Sequence, residues 1–314
     1  MKKLLIVDGN SFIHRAYNAL PPLTNSESFP TGAMTGVLNM INNLIKTQKP
    51  DKIVIAYDAK GKNFRHRMYN DYKANRKPMD DDLRVQIEPL KEVITAWGLP
   101  SICVEDVEAD DSISTLAKLG ESQGYFVIIS TSDKDMRQVV NENIVILDTK
   151  DTLNKSLAYY DPETIFVKNG VLPNRITDLL ALVGDVSDNV PGVPSCGEKT
   201  AAKWIKEYDS LEGIIENADN IKGKVGEKLR ESINSGNLKL SYDLVKINLN
   251  VDLPYENIDD YIGEYDEEKL HLLTKKYELN NFRKALNIKD LSAEKVSFNI
   301  IDDNERVSKF LLSC

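Results

Sequence analysis

Acidic residues gather in five short stretches of the chain. They are Asp8 in "LLIVDGN", Asp58 in "IVIAYDAKG", Glu108, Asp110 and Asp111 in "VEADD", Asp133 and Asp135 in "FVIISTSDKD", and Asp185 and Asp188 in "GDVSDNVPGVPSCGEKTA". Carboxylates a few ångströms apart raise one another's pKa and destabilise a fold unless a cation neutralises them. Oxygen donors without histidine or cysteine suit hard ions such as Mg²⁺ or Mn²⁺ rather than zinc. Two such ions about 4 Å apart would activate water and stabilise the leaving oxygen of a phosphodiester. The chemistry implied is phosphoryl transfer to water. Any one of these acids has an ordinary alternative, since aspartate after a strand is a common helix N-cap or turn residue and "VEADD" suits a helix dipole. Five clusters recurring at equivalent positions outweigh that alternative and point to a metal site.

Two further stretches bear on a substrate. Between Lys60 and Lys77 the chain carries Lys60, Lys62, Arg65, Arg67, Lys73, Arg76 and Lys77 against the single acid Asp71. Arg65, Tyr69, Tyr72, Lys73 and Arg76 recur at spacings of three and four, which would place them on neighbouring faces of a helix. Such cations would grip phosphates and stabilise charge at a scissile phosphate, and Tyr69 or Tyr72 would stack on an unpaired base. A solvated surface helix is the ordinary alternative. "GVPSCGEKT" follows the last pair of acids. A tight turn from Gly192 to Gly197 opening a helix exposes backbone N–H groups and a helix dipole to a phosphate backbone, with Lys199 and Thr200 as further donors. It is not a P-loop: no strand precedes it and Glu198, not lysine, follows Gly197.

These residues need a frame to hold them. Four short, continuous apolar runs, at 4–7, 53–57, 126–130 and 144–147, read as strands buried on both faces. Helical patterns at about 32–47, 83–97 and 110–123 alternate with them, which predicts an α/β domain with a mostly parallel sheet. Ligands bind such sheets at the carboxyl ends of the strands, where the acidic stretches fall. Beyond about residue 170 strand signals stop, and helices are expected near 174–183, 198–207, 209–217, 224–235 and 266–276. The chain of 314 residues, 41% hydrophobic and 28% charged with net charge −9, has the composition of a globular protein. No apolar run reaches the roughly 20 residues of a membrane helix, and Cys103, Cys196 and Cys314 suggest neither a disulfide framework nor zinc. A cytoplasmic location is expected. The global charge argues against nucleic acid, but the local basic run and the metal-neutralised acids remove that objection.

Taken together, "LIVDGNSFIHRAYNALPPLTNSESFPTGAMTGVLNM", "DAKGKNFRHRMYNDYKANRKPM", "VEADD", "STSDKDM" and "ALVGDVSDNVPGVPSCGEKTA" resemble the 5′ nuclease domain of bacterial DNA polymerase I, in the flap endonuclease superfamily, over roughly residues 3–288. The resemblance implies a PIN-like α/β core (1–170) with a helical arch at about 60–82, a helix-hairpin-helix subdomain (171–289), and a tail (290–314) that begins a following domain. It implies a monomeric, Mg²⁺-dependent enzyme, with Mn²⁺ able to substitute and K⁺ held at the hairpin. Its substrate would be DNA with a 5′ flap or a single-strand/duplex junction, and its role primer removal and repair, beside a covalently linked polymerase. All nine acids correspond to the family's metal-site acids. Lys73 and Arg76 correspond to its arch cations, with Arg65, Tyr72, Gly192, Gly197, Lys199 and Thr200 as further DNA contacts. Ser195 departs from the family, which has glycine there; at positive φ, serine costs roughly 1 kcal/mol. A PIN-type ribonuclease, a non-catalytic flap-binding module and a small-molecule phosphohydrolase are the alternatives.

Overall fold

A computed structural model describes residues 1–148 and 158–289. The expected tail at 290–314 and Cys314 lie outside the described residues. Six strands, β1 Lys3–Asp8, β2 Lys52–Ala56, β3 Ser101–Ile102, β4 Phe126–Thr131, β5 Ile144–Asp148 and β6 Ala158–Tyr160, form one sheet in the order β3-β2-β1-β4-β5-β6. All pairings are parallel except β5 with β6. The order reverses direction at β1, so the crevice between the ends of β1 and β4 is a topological switch point, where ligands bind in open α/β sheets.

Side chains alternate across a strand. Leu5 and Val7 face one layer, with Phe12, Met34, Leu38 and Ile94. These belong to helices α1 (Gly9–Ala19), α2 (Gly32–Gln48) and α4 (Asp81–Ala96), α3 being the short Phe64–Met68. Leu4 and Ile6 face the other layer, beside Ile113 and Leu116 of α5 (Ala109–Ser122). That second core runs without a break into the helical half, through Leu179, Trp204, Leu229 and Leu244. Its helices are α6 (Pro162–Asn169), α7 (Ile176–Val183), α8 (Glu198–Tyr208), α9 (Leu211–Glu216), α10 (Lys224–Asn234) and α11 (Asn237–Val245).

The last two helices behave differently from the expected single subdomain. α12 (Glu267–Lys276) and α13 (Asn280–Leu286) cross back to the first layer, where Leu270 and Phe282 are buried with the α1, α2 and α4 side chains. The Phe282 ring meets Trp97 edge-on at 4.8 Å. The sequence reading also missed α1, α6, α11, α13 and the short strands β3 and β6. The continuous helix expected across 65–76 does not form. α3 ends at Met68, Tyr69 is extended, and Lys73 sits at φ +56° in a series of turns.

Candidate active site

The ends of β1, β2 and β4 each deliver acids, and local hydrogen bonds aim them. Asp8, the last residue of β1, caps α1: one carboxylate oxygen accepts the Ser11 N–H (2.9 Å) and the other the Thr131 hydroxyl from β4 (2.7 Å). Asp58, just past β2, accepts the Ala109 N–H of α5 (2.7 Å) and the Asn10 amide of α1 (2.6 Å). Asp133 and Asp135 follow β4, with the Asp135 N–H donated to Asp133 (2.8 Å). Glu108 and Asp110 open α5. Asp185 and Asp188 come from the loop between α7 and α8, which the paired backbones of Asp185 and Val190 close (3.0 and 2.8 Å). Gly184 and Gly192 cross so closely there that a Cβ on either would meet backbone atoms of the other, and both have positive φ. All eight acids line one open cleft of about 670 Å³.

The cleft is unevenly neutralised. Burial, with Asp133 and Asp58 nearby, pushes Asp8 up to about 6. Burial and the Asp133 charge push Asp135 up to about 8, and one Asp135 oxygen is shut off from solvent with no hydrogen-bond partner among the described residues. Asp110 is held well above the usual carboxylate range by burial and by Asp133, Asp8 and Glu108. Three of the remaining acids have cations, whereas Asp58 and Asp133 have only the neutral donors given above. Burial would raise Glu108, but Lys73 (2.5 Å) and Arg65 (3.4 Å) hold it below its ordinary value. Asp185 is likewise held down against burial, by Ser187 and by Lys134 at 2.9 Å. Asp188 pairs with Arg76 at 2.5 Å and stands 3.7 Å from the Lys73 ammonium.

The buried, unpartnered Asp135 oxygen and the carboxylate donor set fit hard divalent cations, in agreement with the sequence reading. The coordination shell is not preassembled. Among the described residues no three Asp, Glu, His or Cys side chains already enclose a common point.

Four expectations are corrected. Asp111 does not face the cleft: fully buried, it takes a two-pronged hydrogen bond from Arg65 (2.6 and 2.8 Å) and the Asn248 N–H (2.8 Å). Arg65 is 3% exposed and also donates to the carbonyls of Leu244 and Lys246, so it ties α3 and α5 to the end of α11 and offers nothing to DNA. Tyr72 is buried and donates to Glu108, so it is not free to stack on a base. Gly192 is buried with its N–H donated to Ser241 (2.9 Å), which removes it as a phosphate donor. In each case burial and a satisfied partner decide, and neither is visible in residue spacing.

Lys73 and Arg76 do line the cleft, on the loop that folds down over it. The Lys73 N–H donates to the Asp188 carbonyl, and Asn75 and Asn189 add bonds between the two loops. Gly197, Lys199 and Thr200 lie outside the cleft, at the start of α8, whose first residue Glu198 reaches its edge. Residues the sequence reading missed include Asn10, which orients Asp58, and Lys134. The latter was signalled by a lysine set between Asp133 and Asp135.

The pattern described as "5′-3′ exonuclease, N-terminal resolvase-like domain" matches residues 3–170, and "5′-3′ exonuclease, C-terminal SAM fold" matches 171–268. The chain belongs to the 5′-3′ exonuclease family. A 5′-3′ exonuclease of Aquifex aeolicus is 37% identical over 91% of this chain and 96% of its own length. DNA polymerase I of Pseudomonas aeruginosa is 42% identical over 89% of this chain but only 31% of its own length. The chain therefore spans about a third of the polymerase relatives it matches. The fold is shared with a bacteriophage T5 flap endonuclease solved with DNA and metal ions, at TM-score 0.64 and 20% identity over 91% of this chain and 99% of that one. Among the described residues no helix is long and apolar enough to cross a membrane.

Proposed function

We propose that this chain is a metal-dependent, structure-specific 5′ nuclease that hydrolyses DNA phosphodiesters at 5′ flaps and 5′ ends, in primer removal and repair. The observation that carries the reading is the convergence of eight acids from five loops on one cleft at the switch point of the sheet, part of it buried and without cations. Asp8, Asp58, Glu108, Asp110, Asp133, Asp135, Asp185 and Asp188 would hold two divalent cations, Mg²⁺ with Mn²⁺ able to substitute. When bound, these supply an activated water and charge stabilisation at the departing oxygen.

The chain's own residues supply the rest. Lys73 and Arg76, now paired with Glu108 and Asp188, are placed to exchange a carboxylate for a substrate phosphate, and so to stabilise charge that develops there. The N–H groups of Glu198 and Lys199 precede the first backbone hydrogen bonds of α8, which run from Thr200 and Ala201 to the Gly197 carbonyl; with the Lys199 and Thr200 side chains they would hold a duplex backbone without reading bases. Ser195, at φ +66° beside Gly197, leaves a K⁺ ion at the hairpin as part of the same proposal. Matches to full-length polymerases support a covalently linked polymerase, and the Aquifex relative supports a free-standing nuclease equally well.

The test is cleavage of a 5′-labelled double-flap DNA with Mg²⁺, with EDTA, and by Asp135→Asn and Lys73→Ala. A junction product that needs metal and falls by about 10²–10³ in Lys73→Ala is expected. Binding without cleavage would point to a flap-binding module, preference for RNA to a ribonuclease, and turnover of p-nitrophenyl phosphate to a phosphohydrolase.

A further inference from the structure

Two loops far apart in the chain are joined along a seam at the edge of the cleft. The Asn75 side-chain amide donates to the Val186 carbonyl (2.6 Å), and that of Asn189 donates to the Asp71 carbonyl (2.8 Å), across 111 and 118 residues of sequence. Between them the Lys73 N–H donates to the Asp188 carbonyl (3.0 Å). Asp71 thus meets Asn189, Lys73 meets Asp188 and Asn75 meets Val186, so the two segments lie side by side and antiparallel. This is not a sheet ladder, in which backbone groups alone would pair. Two of the three bonds come from asparagine side chains, which makes the seam depend on the residue types at 75 and 189.

The backbone is unusual on both sides of the seam, with Lys73 at φ +56° and Asn189 at φ +61°. Asparagine tolerates left-handed backbone, but a lysine keeps it only where its surroundings over-determine it. Buried Tyr72, donating to Glu108, fixes Lys73 from one side, and the seam fixes it from the other. Ion pairs add to the closure: Lys73 with Glu108, and Arg76 with Asp188 through two donors at 3.1 and 2.5 Å. Those pairs are given up when a phosphate takes the cations. The neutral bonds of Asn75 and Asn189 involve no charge and are kept.

We infer that Asn75 and Asn189 are positioning residues for the cleavage reaction: they hold the turn that carries Lys73 and Arg76 against the loop that carries Asp185 and Asp188. The two cations then stay over the carboxylates after their own ion pairs are exchanged for substrate. The inference rests on the nuclease reading above. It makes the seam a brace that works in the loaded enzyme, not a latch that must open to admit DNA, and the two roles have opposite consequences. Removing a brace slows the reaction, because a misplaced cation stabilises developing charge poorly; removing a latch speeds it.

The experiment compares the unsubstituted chain with Asn75→Ala and with Asn189→Gly, in which glycine keeps the left-handed backbone and drops the amide. Hydrogen exchange over residues 71–76, read in EDTA without DNA, should quicken about tenfold in each variant while the rest of the chain is unchanged. Cleavage of 5′-flap DNA under single turnover with Mg²⁺ should slow about tenfold, with flap binding in EDTA held within about twofold. On a Lys73→Ala, Arg76→Ala background the same substitutions should slow cleavage by less than about twofold, because they act through those cations. A tenfold loss that persists on that background overturns the inference. So does a loss made good by more Mg²⁺, which would place the defect in the carboxylates, and so does faster cleavage, the mark of a latch. Unchanged cleavage despite quicker exchange would overturn it and leave the nuclease reading standing. An unsubstituted chain that cuts no DNA would fail the nuclease reading itself, and the positioning role with it.

Discussion

The two walls of the cleft solve the same electrostatic problem in different ways. On one wall Asp8, Asp110 and Asp135 are crowded and pushed upward, Asp8 buried and the other two half-buried, and a buried oxygen of Asp135 is unpartnered. On the other, Glu108, Asp185 and Asp188 are held by Lys73, Arg65, Lys134 and Arg76. The first wall is complete only with an external cation. The second carries its own cations, three of them on loops that can exchange partners. A polyanionic substrate arriving with metal would find sites for its ions on the first wall and cationic side chains on the second.

Replacing a member of each wall should therefore separate activity from stability. Asp135→Asn should lower cleavage by roughly 10³-fold, the scale of losing a major transition-state contact. It should raise the melting temperature in EDTA, because an amide removes a repelled charge. A fall in metal-free stability would show that Asp135 is paired and would break the contrast. On the second wall, Arg65→Ala should cost about 3–5 kcal/mol by chemical denaturation, since it strands the buried Asp111 carboxylate. Arg65→Lys should recover only part, because an ammonium cannot make the two-pronged bond. If Arg65→Ala folds normally yet loses DNA affinity, the corrected role of Arg65 is wrong.

The walls also predict opposite pH dependences. Asp8, raised to about 6, and Asp135, raised to about 8, bind protons more tightly in the folded chain than the usual value of 3.8. Their contribution is favourable at low pH and is lost as pH rises from about 4 through 8. Glu108 and Asp185, held down, contribute above their unfolded values, and that stability is lost as pH falls through their folded ones. Melting in EDTA should thus decline from pH 5 to 8, and Mg²⁺ at a hundred times its Kd should flatten the decline while adding about 2.7 kcal/mol. A profile that is flat without metal would remove the first wall's claim to an ion.

Much of this was legible in the sequence because it depends on local order along the chain. Strands covered on both faces leave continuous apolar runs, and acids directly after them must gather at one sheet edge, so Asp8, Asp58, Asp133 and Asp135 could be placed before any coordinates. What was not legible depends on inward or outward facing. Arg65, Tyr72 and Lys73 share a basic stretch, yet Arg65 and Tyr72 turn in to Asp111 and Glu108 while Lys73 lines the cleft. That outcome is set by Leu244 and Lys246, roughly 180 residues away, whose carbonyls accept the other Arg65 donors. The return of α12 and α13 to the first core is equally non-local. The short β6 and α6 left no pattern long enough to read.

The smallest predicted effect lies outside the cleft lining, at Ser195. Its φ of +66° is left-handed backbone, which costs a non-glycine residue roughly 1–2 kcal/mol. Ser195→Gly relieves that strain but gives the unfolded chain more freedom, worth about 0.4–1 kcal/mol in the opposite direction. It also removes the hydroxyl that accepts a hydrogen bond from Lys228 at 2.8 Å, an exposed contact of little net value. Denaturation should therefore show a gain between about 0 and 1.6 kcal/mol, with cleavage unchanged. Freed from the serine, Lys228 would stand beside the proposed backbone-gripping hairpin. Lys228→Ala should then lower the salt slope of DNA binding by about 1, uniformly across sequences. An unchanged slope would confine Lys228 to its contact with Ser195, leaving the hairpin's grip to Lys199 and the start of α8.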